Sequence, residues 1–253
     1  MPAERSSEPQ PVYVYGVVPG AAGLSLTAPG IADRPLEVVE HDGVAAVVSE
    51  LPAGDLRVRR RDLDAHLRSL EQIFDQTTVV PCSFATVMSS REDVERELLA
   101  ARREELEALL RRLEGHVQMN VKAEYDEQAV LQRVVAEEPE IARARERARA
   151  LGDAAHFENI RLGELVAGVI AARRAADAER IAARLVATAA DSVVEPADRE
   201  LLVFKGSFLV ARDRLGGFDA ELESLAAAEA NLMRFESFGP LPPTAFAVLE
   251  QGG

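Results

Sequence analysis

An uncharged run at residues 77–88, TTVVPCSFATVM, is rich in β-branched and small residues. Such a run is typical of a strand that is buried on both faces. Pro81 has no N–H to donate to a neighbouring strand, so the pattern predicts two half-strands that meet at a bulge or bend. We expect Val79, Val80 and Phe84 to lie in the core.

Strand and turn patterns precede this run. Residues 12–18, VYVYGVV, alternate as a strand does, and residues 36–39 and 44–48 read as two short strands around a His-Asp-Gly turn. The Gly of that turn supplies the positive φ that a tight hairpin requires. Pro and Gly are frequent in residues 19–35, which predicts a long loop between the first two strands.

Amphipathic helical patterns flank the run on both sides. The first helix has Asp62 as its predicted N-cap, and its spacing puts four large residues on the inner face: Leu63, Leu67, Leu70 and Phe74. Ser89 and Glu92 form a capping box for the second helix, and Gly115 is placed to end it. The apolar stripe of that helix is Val94, Leu98, Ala101, Leu106, Leu109 and Leu113.

The order of these elements predicts the fold of the first half. Strand, loop, hairpin, helix and strand follow the βαββαβ order of a ferredoxin-like domain in which the first helix is reduced to a loop. We therefore predict a disordered N-terminus at residues 1–11 and a ferredoxin-like domain at residues 12–115.

The second half predicts a related layout. Residues 117–125 alternate clearly between apolar and polar side chains, as in a half-buried strand. Helical sequence follows over residues 127–190, is broken at Pro139, and is rich in small residues that favour an antiparallel helical pair. The remaining pattern predicts strands at residues 201–204, 208–210 and 232–238, with a helix that turns Phe218, Leu222 and Leu225 inward. We predict an α+β domain of βαββαβ type at residues 116–250, with an elongated helical pair.

Charge and cysteine content limit the classes of function. The formal net charge of −14 argues against a nucleic-acid partner, because phosphate binding requires clustered Lys and Arg. A single cysteine, Cys82, excludes an internal disulfide and a cysteine-based zinc site. Apolar segments are all shorter than the roughly 18 residues needed to span a bilayer, so we expect no membrane partner and a cytoplasmic location.

Motifs for catalysis or cofactor binding are absent from the sequence. The four histidines do not occur in ligand spacing, and the Gly-rich stretch at residues 16–23 lacks the Lys-Ser/Thr of a phosphate-binding loop. We expect no catalytic residue, no metal and no cofactor. The alternative class, a small-ligand-binding or enzymatic tandem ferredoxin-like protein, requires convergent polar residues. The sequence offers one such row: Gln118, Asn120, Lys122 and Glu124.

Two features predict a surface for a protein partner. The long loop replaces a helix that would otherwise cover the first sheet, and it carries the apolar residues Leu24, Leu26 and Ile31. The segment RVRRR is a basic cluster in an acidic protein, and its arginines are Arg57, Arg59, Arg60 and Arg61. An uncovered sheet or edge is where another chain can pack or add a strand. The competing interpretations are that the long loop closes over its own sheet and that the basic cluster is a solvated loop.

The motifs VPCSFATV and FGPLPPTAF resemble the gas vesicle protein F/L family, GvpF and GvpL. The similarity runs from about residue 12 to residue 248 and includes the opening VYVYGVV. Ala85 stands where the family usually has Gly, Leu241 where Trp is usual, and Thr244 where Tyr is usual. These departures indicate a divergent member.

The resemblance implies an accessory protein of gas vesicle assembly that associates with the vesicle. It also implies two kinds of partner, the hydrophobic shell subunit GvpA and other gas vesicle proteins. A subunit with an apolar gas-facing surface would aggregate in water, so a protein that binds it during assembly is physically reasonable. We expect the side of the N-terminal domain that carries residues 12–56 to make this contact.

Overall fold

Two β-sheets organise the computed structural model, which describes residues 10–20, 23–51, 59–152, 155–247 and 249. The strands in these residues are β1 (Val12–Pro19), β2 (Glu37–His41), β3 (Val44–Glu50), β4 (Val80–Pro81), β5 (Val87–Met88), β6 (His116–Tyr125), β7 (Asp191–Val194), β8 (Leu202–Ala211) and β9 (Met233–Leu241). The helices are α1 (Arg60–Phe74), α2 (Arg91–Asp93), α3 (Arg103–Leu113), α4 (Glu127–Glu137), α5 (Pro139–Leu151), α6 (His156–Val186) and α7 (Leu215–Ala228). A π-helical segment, Val94–Ala100, joins α2 to α3.

The first sheet has the strand order β2-β3-β1-β4, and β5 also pairs with β1. All its pairings are antiparallel. With a loop between β1 and β2 and with α1 between β3 and β4, this is the ferredoxin-like order with a reduced first helix, as predicted. A register shift between Val14 and Gly16 bends β1 where β4 crosses it. A Cβ at Gly16 would lie 2.7 Å from Val79 Cγ2, so only glycine permits this close approach.

The run at residues 77–88 forms two short strands, β4 and β5, as the position of Pro81 predicted. Val79 and Val80 are fully buried. The expectation for Phe84 was wrong, because this side chain is half-buried. It lies in the loop between the two strands, where its ring packs against those of Tyr13 and His66 at centroid distances of 6.4 and 5.7 Å.

The buried face of α1 differs from the predicted one. The helix begins at Arg60 and its N-cap is Arg59, whereas Asp62 lies inside the first turn. Leu63 and Leu67 are 41% and 44% exposed, and the buried residues are Asp62, Ala65, His66, Ser69, Leu70, Ile73 and Phe74. The inward face includes His66, which shares a long-range hydrogen bond with Tyr13 (3.0 Å), and the two leucines lie further outward.

The second predicted helix is interrupted by the π-helical segment. Ser90 is the N-cap and its hydroxyl accepts from the Asp93 N–H, so the predicted capping box is displaced by one residue. The extra residue in the π-helical turn shifts the apolar stripe, so that Leu99 and Leu110 are buried and Ala101 is exposed. Gly115 follows α3 with a φ of 68°, in agreement with its predicted role as a helix-ending glycine.

The second sheet has the order β7-β8-β6-β9, which is again the ferredoxin-like order. The apolar positions of β6 are buried as predicted. The sequence pattern missed β7, which has four residues, and it divided β8, which is one continuous strand. The predicted helical pair is three helices, because the chain breaks again near Gly152, whose φ is 52°.

The chain separates into two compact units, Met1–Gln118 with Pro240–Gly253, and Met119–Gly239. The segment after Gly239 therefore groups with the first unit, whereas the sequence analysis had placed it in the second half. Backbone hydrogen bonds explain this. The Leu249 N–H donates to the Pro81 carbonyl (3.0 Å), and the Ser83 N–H donates to the Leu249 carbonyl (3.2 Å). This C-terminal segment adds a β-bridge beside Cys82, next to the edge strand β4.

Candidate partner-binding surface

The loop between β1 and β2 is attached to α1 by glutamine side chains. Gln72 Oε1 accepts from the N–H groups of Thr27 (3.0 Å) and Ala28 (2.7 Å). Gln76 accepts from the Ser25 N–H (2.8 Å) and donates to the Ser25 carbonyl (3.1 Å). The described part of the loop thus closes over its own unit, which was the competing interpretation of the sequence.

The apolar residues predicted for the surface are placed differently by this loop. Ile31 is 1% exposed, and its N–H donates to the Tyr15 hydroxyl at 2.7 Å. Ile31 is therefore a core residue, and its expected place on an exposed surface was wrong. Leu24 and Leu26 are half-buried, because the loop lies along the helix.

The basic cluster lies at the start of α1. Arg59, Arg60 and Arg61 are exposed, and Arg57 lies outside the described residues. Arg61 Nε lies 3.5 Å from the carboxylate of Asp62. The structure therefore brings three of the four arginines together at one end of a helix.

Leu63 and Leu67 follow these arginines on the outer side of α1 and are one helical turn apart. Sequence reasoning missed them as surface residues, because it placed them in the core. The sequence offered one signal for the observed orientation of α1, an alternative inner face formed by Ala65, Ser69 and Ile73. Burial of this face also requires burial of His66. We call Arg59, Arg60, Arg61, Leu63 and Leu67 the α1 surface.

A polar cluster lies beneath this helix and fixes its rotation. The Tyr13 hydroxyl accepts from the Ala85 N–H (2.8 Å) and shares a hydrogen bond with His66 Nδ1 (3.0 Å), while Tyr15 shares a hydrogen bond with Ser49 (2.9 Å). Burial lowers the pKa of His66 to about 4 and raises the pKa of both tyrosines. All of these groups are therefore neutral near pH 7, and their arrangement is suited to structural support of α1.

Other candidates for chemistry are engaged in structural roles. Cys82 is buried, which raises the pKa of its thiol to about 12 and makes it a poor nucleophile. In the polar row of β6, Gln118 accepts from the Ala245 N–H (2.8 Å), and Lys122 pairs with Glu124 (3.0 Å). Among the described residues, no group of three or more His, Cys, Asp or Glu side chains is arranged to hold a metal ion. Within the same residues, no helix is long and apolar enough to cross a membrane.

Comparison with known proteins identifies the family. The family profile described as "Gas vesicle synthesis protein GvpL/GvpF" matches residues 11–248, which is nearly the whole chain. This chain belongs to the GvpL/GvpF family. The resemblance noted in the sequence is thereby confirmed, and membership supports a role in gas vesicle assembly.

Relatives in bacteria match over almost their full length. Gas vesicle protein F of Streptomyces sp. (strain CB03234) is 38% identical over 237 residues, which cover 92% of this chain and 98% of the relative. Gas vesicle protein F of Dolichospermum flosaquae is 23% identical over 95% of this chain and 98% of its own length. The match is therefore to whole GvpF chains and not to one shared domain.

The fold agrees with a solved GvpF structure. The crystal structure of GvpF from Anabaena sp. PCC7120 superposes with a TM-score of 0.82 at 23% identity, covering 95% of this chain and 99% of that one. The structure also explains one departure from the family pattern. Ala85, where the family usually has Gly, has a φ of 68°, a left-handed conformation that glycine adopts most easily.

Proposed function

We propose that this GvpL/GvpF protein acts in gas vesicle assembly by binding the hydrophobic shell subunit GvpA through the α1 surface of its first unit. The observation that carries the proposal is the exposure of Leu63 and Leu67, at 41% and 44%, directly beside three exposed arginines. Exposed leucines with a charged rim are typical of a surface that receives an apolar partner. The half-buried Leu24 and Leu26 extend the apolar character on the other flank of α1.

The geometry of α1 supports this extension. Gln72, which holds the loop, follows Leu67 by five residues, so the two side chains point about 140° apart around the helix. The outer side of α1 is therefore bordered by the leucine pair on one flank and by the loop with Leu24 and Leu26 on the other. The charged residues between them, which include Arg60 and Arg68, keep this face soluble before a partner binds.

The decisive experiment is co-purification of tagged full-length protein with GvpA from a vesicle-forming host. The double variant Leu63→Ser/Leu67→Ser removes the exposed apolar pair without altering the buried face of α1. We expect it to reduce recovered GvpA about 30-fold, because the two side chains together contribute roughly 2 kcal/mol when an apolar partner covers them.

The matched control is Leu131→Ser, which removes a leucine that is 38% exposed on α4 in the second unit. This variant should recover GvpA as the unmodified protein does. Full recovery of GvpA by the double variant would exclude the α1 surface and leave the family role intact. Equal loss in both variants would indicate a general effect of surface leucines.

A further inference from the structure

A charged groove lies between α5 and α6 in the second unit, away from any residue used above. It encloses a cavity of about 460 Å³. The residues that line it define the groove: Glu140, Arg143, Ala144, Arg147, Arg161, Glu164 and Leu165. Two apolar side chains form its floor, and five charged side chains form its walls.

One ion pair sets the register of the two antiparallel helices. Arg147 Nε on α5 lies 3.7 Å from Glu158 Oε2 on α6. One turn further along both helices, Arg143 comes level with Arg161, and the next turn brings Glu140 level with Glu164. The groove therefore has a layer of arginines followed by a layer of glutamates.

Exposed apolar side chains lie in the helical turns next to Arg147, outside the groove lining. Phe157 on α6 is 82% exposed and precedes Glu158, the ion-pair partner of Arg147. Leu151 and Ile160 are 50% and 49% exposed in the adjoining turns. Along the two helices, exposed apolar residues are thus followed by a positive layer and then by a negative layer.

The arginine layer, formed by Arg143 and Arg161, has positive charge available for a ligand. Among the described residues, neither Arg143 nor Arg161 has a carboxylate oxygen within 4.0 Å, although the protein has 43 acidic and 29 basic residues. On the same helix, Arg173 pairs with Glu137 (2.7 Å) and Arg180 with Glu229 (2.8 Å), whereas Arg174 donates to two backbone carbonyls. Guanidinium groups bind carboxylates through paired, directional hydrogen bonds, so two facing arginines favour an acidic ligand.

We propose that this groove is a docking site for an amphipathic helix of another protein. The complementary helix carries an apolar residue over Phe157 and, about four positions later, an acidic residue between Arg143 and Arg161. About seven positions after the apolar residue, it carries a basic residue near Glu140 and Glu164. A second copy related by a two-fold axis through the arginine layer would place the arginines of the two copies against each other.

The test uses a labelled Ala-rich helical peptide of about 18 residues with Leu, Glu and Lys in that order and spacing, titrated against the intact chain by fluorescence anisotropy. A second peptide has Lys in place of the Glu. The unmodified protein should bind the first peptide about tenfold more tightly than the second, because two guanidinium–carboxylate contacts are at stake. Equal affinity for both peptides would overturn the proposal.

Charge reversal in the protein gives the second arm of the test. Arg143→Glu/Arg161→Glu should lose the first peptide and gain the second, an exchange that misfolding cannot produce. The control Arg145→Glu/Arg149→Glu makes the same change of charge on exposed positions of α5 outside the groove lining, and it should keep the original preference. Loss of the preference in the control would refute a helix-docking groove. Displacement of the first peptide by millimolar inorganic phosphate would also refute it, and would identify a small-anion site instead.

Discussion

Protonation of His66, which lies beneath α1, should lower the free energy of unfolding of the first unit. Its imidazole is 3% exposed, shares a hydrogen bond with the Tyr13 hydroxyl through Nδ1, and stacks on Tyr15 at a centroid distance of 5.8 Å. The Tyr13 hydroxyl also accepts from the Ala85 N–H. Protonation of the imidazole would place a charge in an apolar site.

The magnitude follows from the pKa. Burial lowers the pKa of His66 from 6.5 to about 4, which corresponds to about 3 kcal/mol of folding free energy. Between these two values the unfolded chain binds the proton and the folded chain does not, so the stability falls as the pH falls. The contribution is complete above pH 6.5 and is lost as the pH approaches about 4.

The assay is urea unfolding at a series of pH values from 7.5 to 4.5, for the unmodified protein and for His66→Gln. Carboxylates titrate in both proteins, so the informative quantity is the difference between their free energies of unfolding. We expect this difference to shrink by about 2 kcal/mol or more over the series, because glutamine takes up no proton. His156→Gln, at an exposed position on α6, is the control and should leave the slope unchanged. An NMR titration midpoint of His66 at or above pH 6.5 would refute the reasoning.

Two further predictions concern stability. Ala85→Gly should raise the free energy of unfolding by up to about 1 kcal/mol, because glycine adopts the left-handed backbone conformation without steric strain. The control Ala101→Gly, at a φ of −68°, should lower the free energy of unfolding. A change of the same sign in both variants would contradict the argument. Leu249→Ala should destabilise the first unit by about 2–4 kcal/mol, since this side chain is 2% exposed, whereas Leu131→Ala on α4 should have little effect. Calorimetry or urea unfolding measures both, and a neutral Leu249→Ala would show that the C-terminal segment does not stabilise the sheet.

Local patterns were enough to predict the order of elements in the first half, whereas in the second half they missed β7 and divided β8. The alternation in β6 has a period of two over ten residues, and Pro81 and the His-Asp-Gly turn act through backbone geometry alone. Such signals depend only on neighbours in the sequence. Predictions from these signals therefore do not depend on contacts between distant residues.

The features that sequence reasoning missed depend on distant residues. The buried face of α1 includes His66, which is hydrogen-bonded to Tyr13, 53 positions away in the sequence. The association of the C-terminal segment with the first unit depends on the pairing of Leu249 with the backbone around Cys82. Neither contact has a local signature, because a polar residue in a helix and an apolar residue near a chain end are ordinary in many other contexts.

The two units share one strand order and differ in the connection between its first two strands. In the first unit the connection is a loop that docks on α1 through Gln72 and Gln76, which leaves the outer side of that helix open. In the second unit it is three helices, whose last two create the groove. The shared strand order supplies a scaffold in both units, and the elements packed beside it supply the proposed contacts. Because the α1 surface and the groove belong to different units, a variant in one should leave binding at the other unchanged.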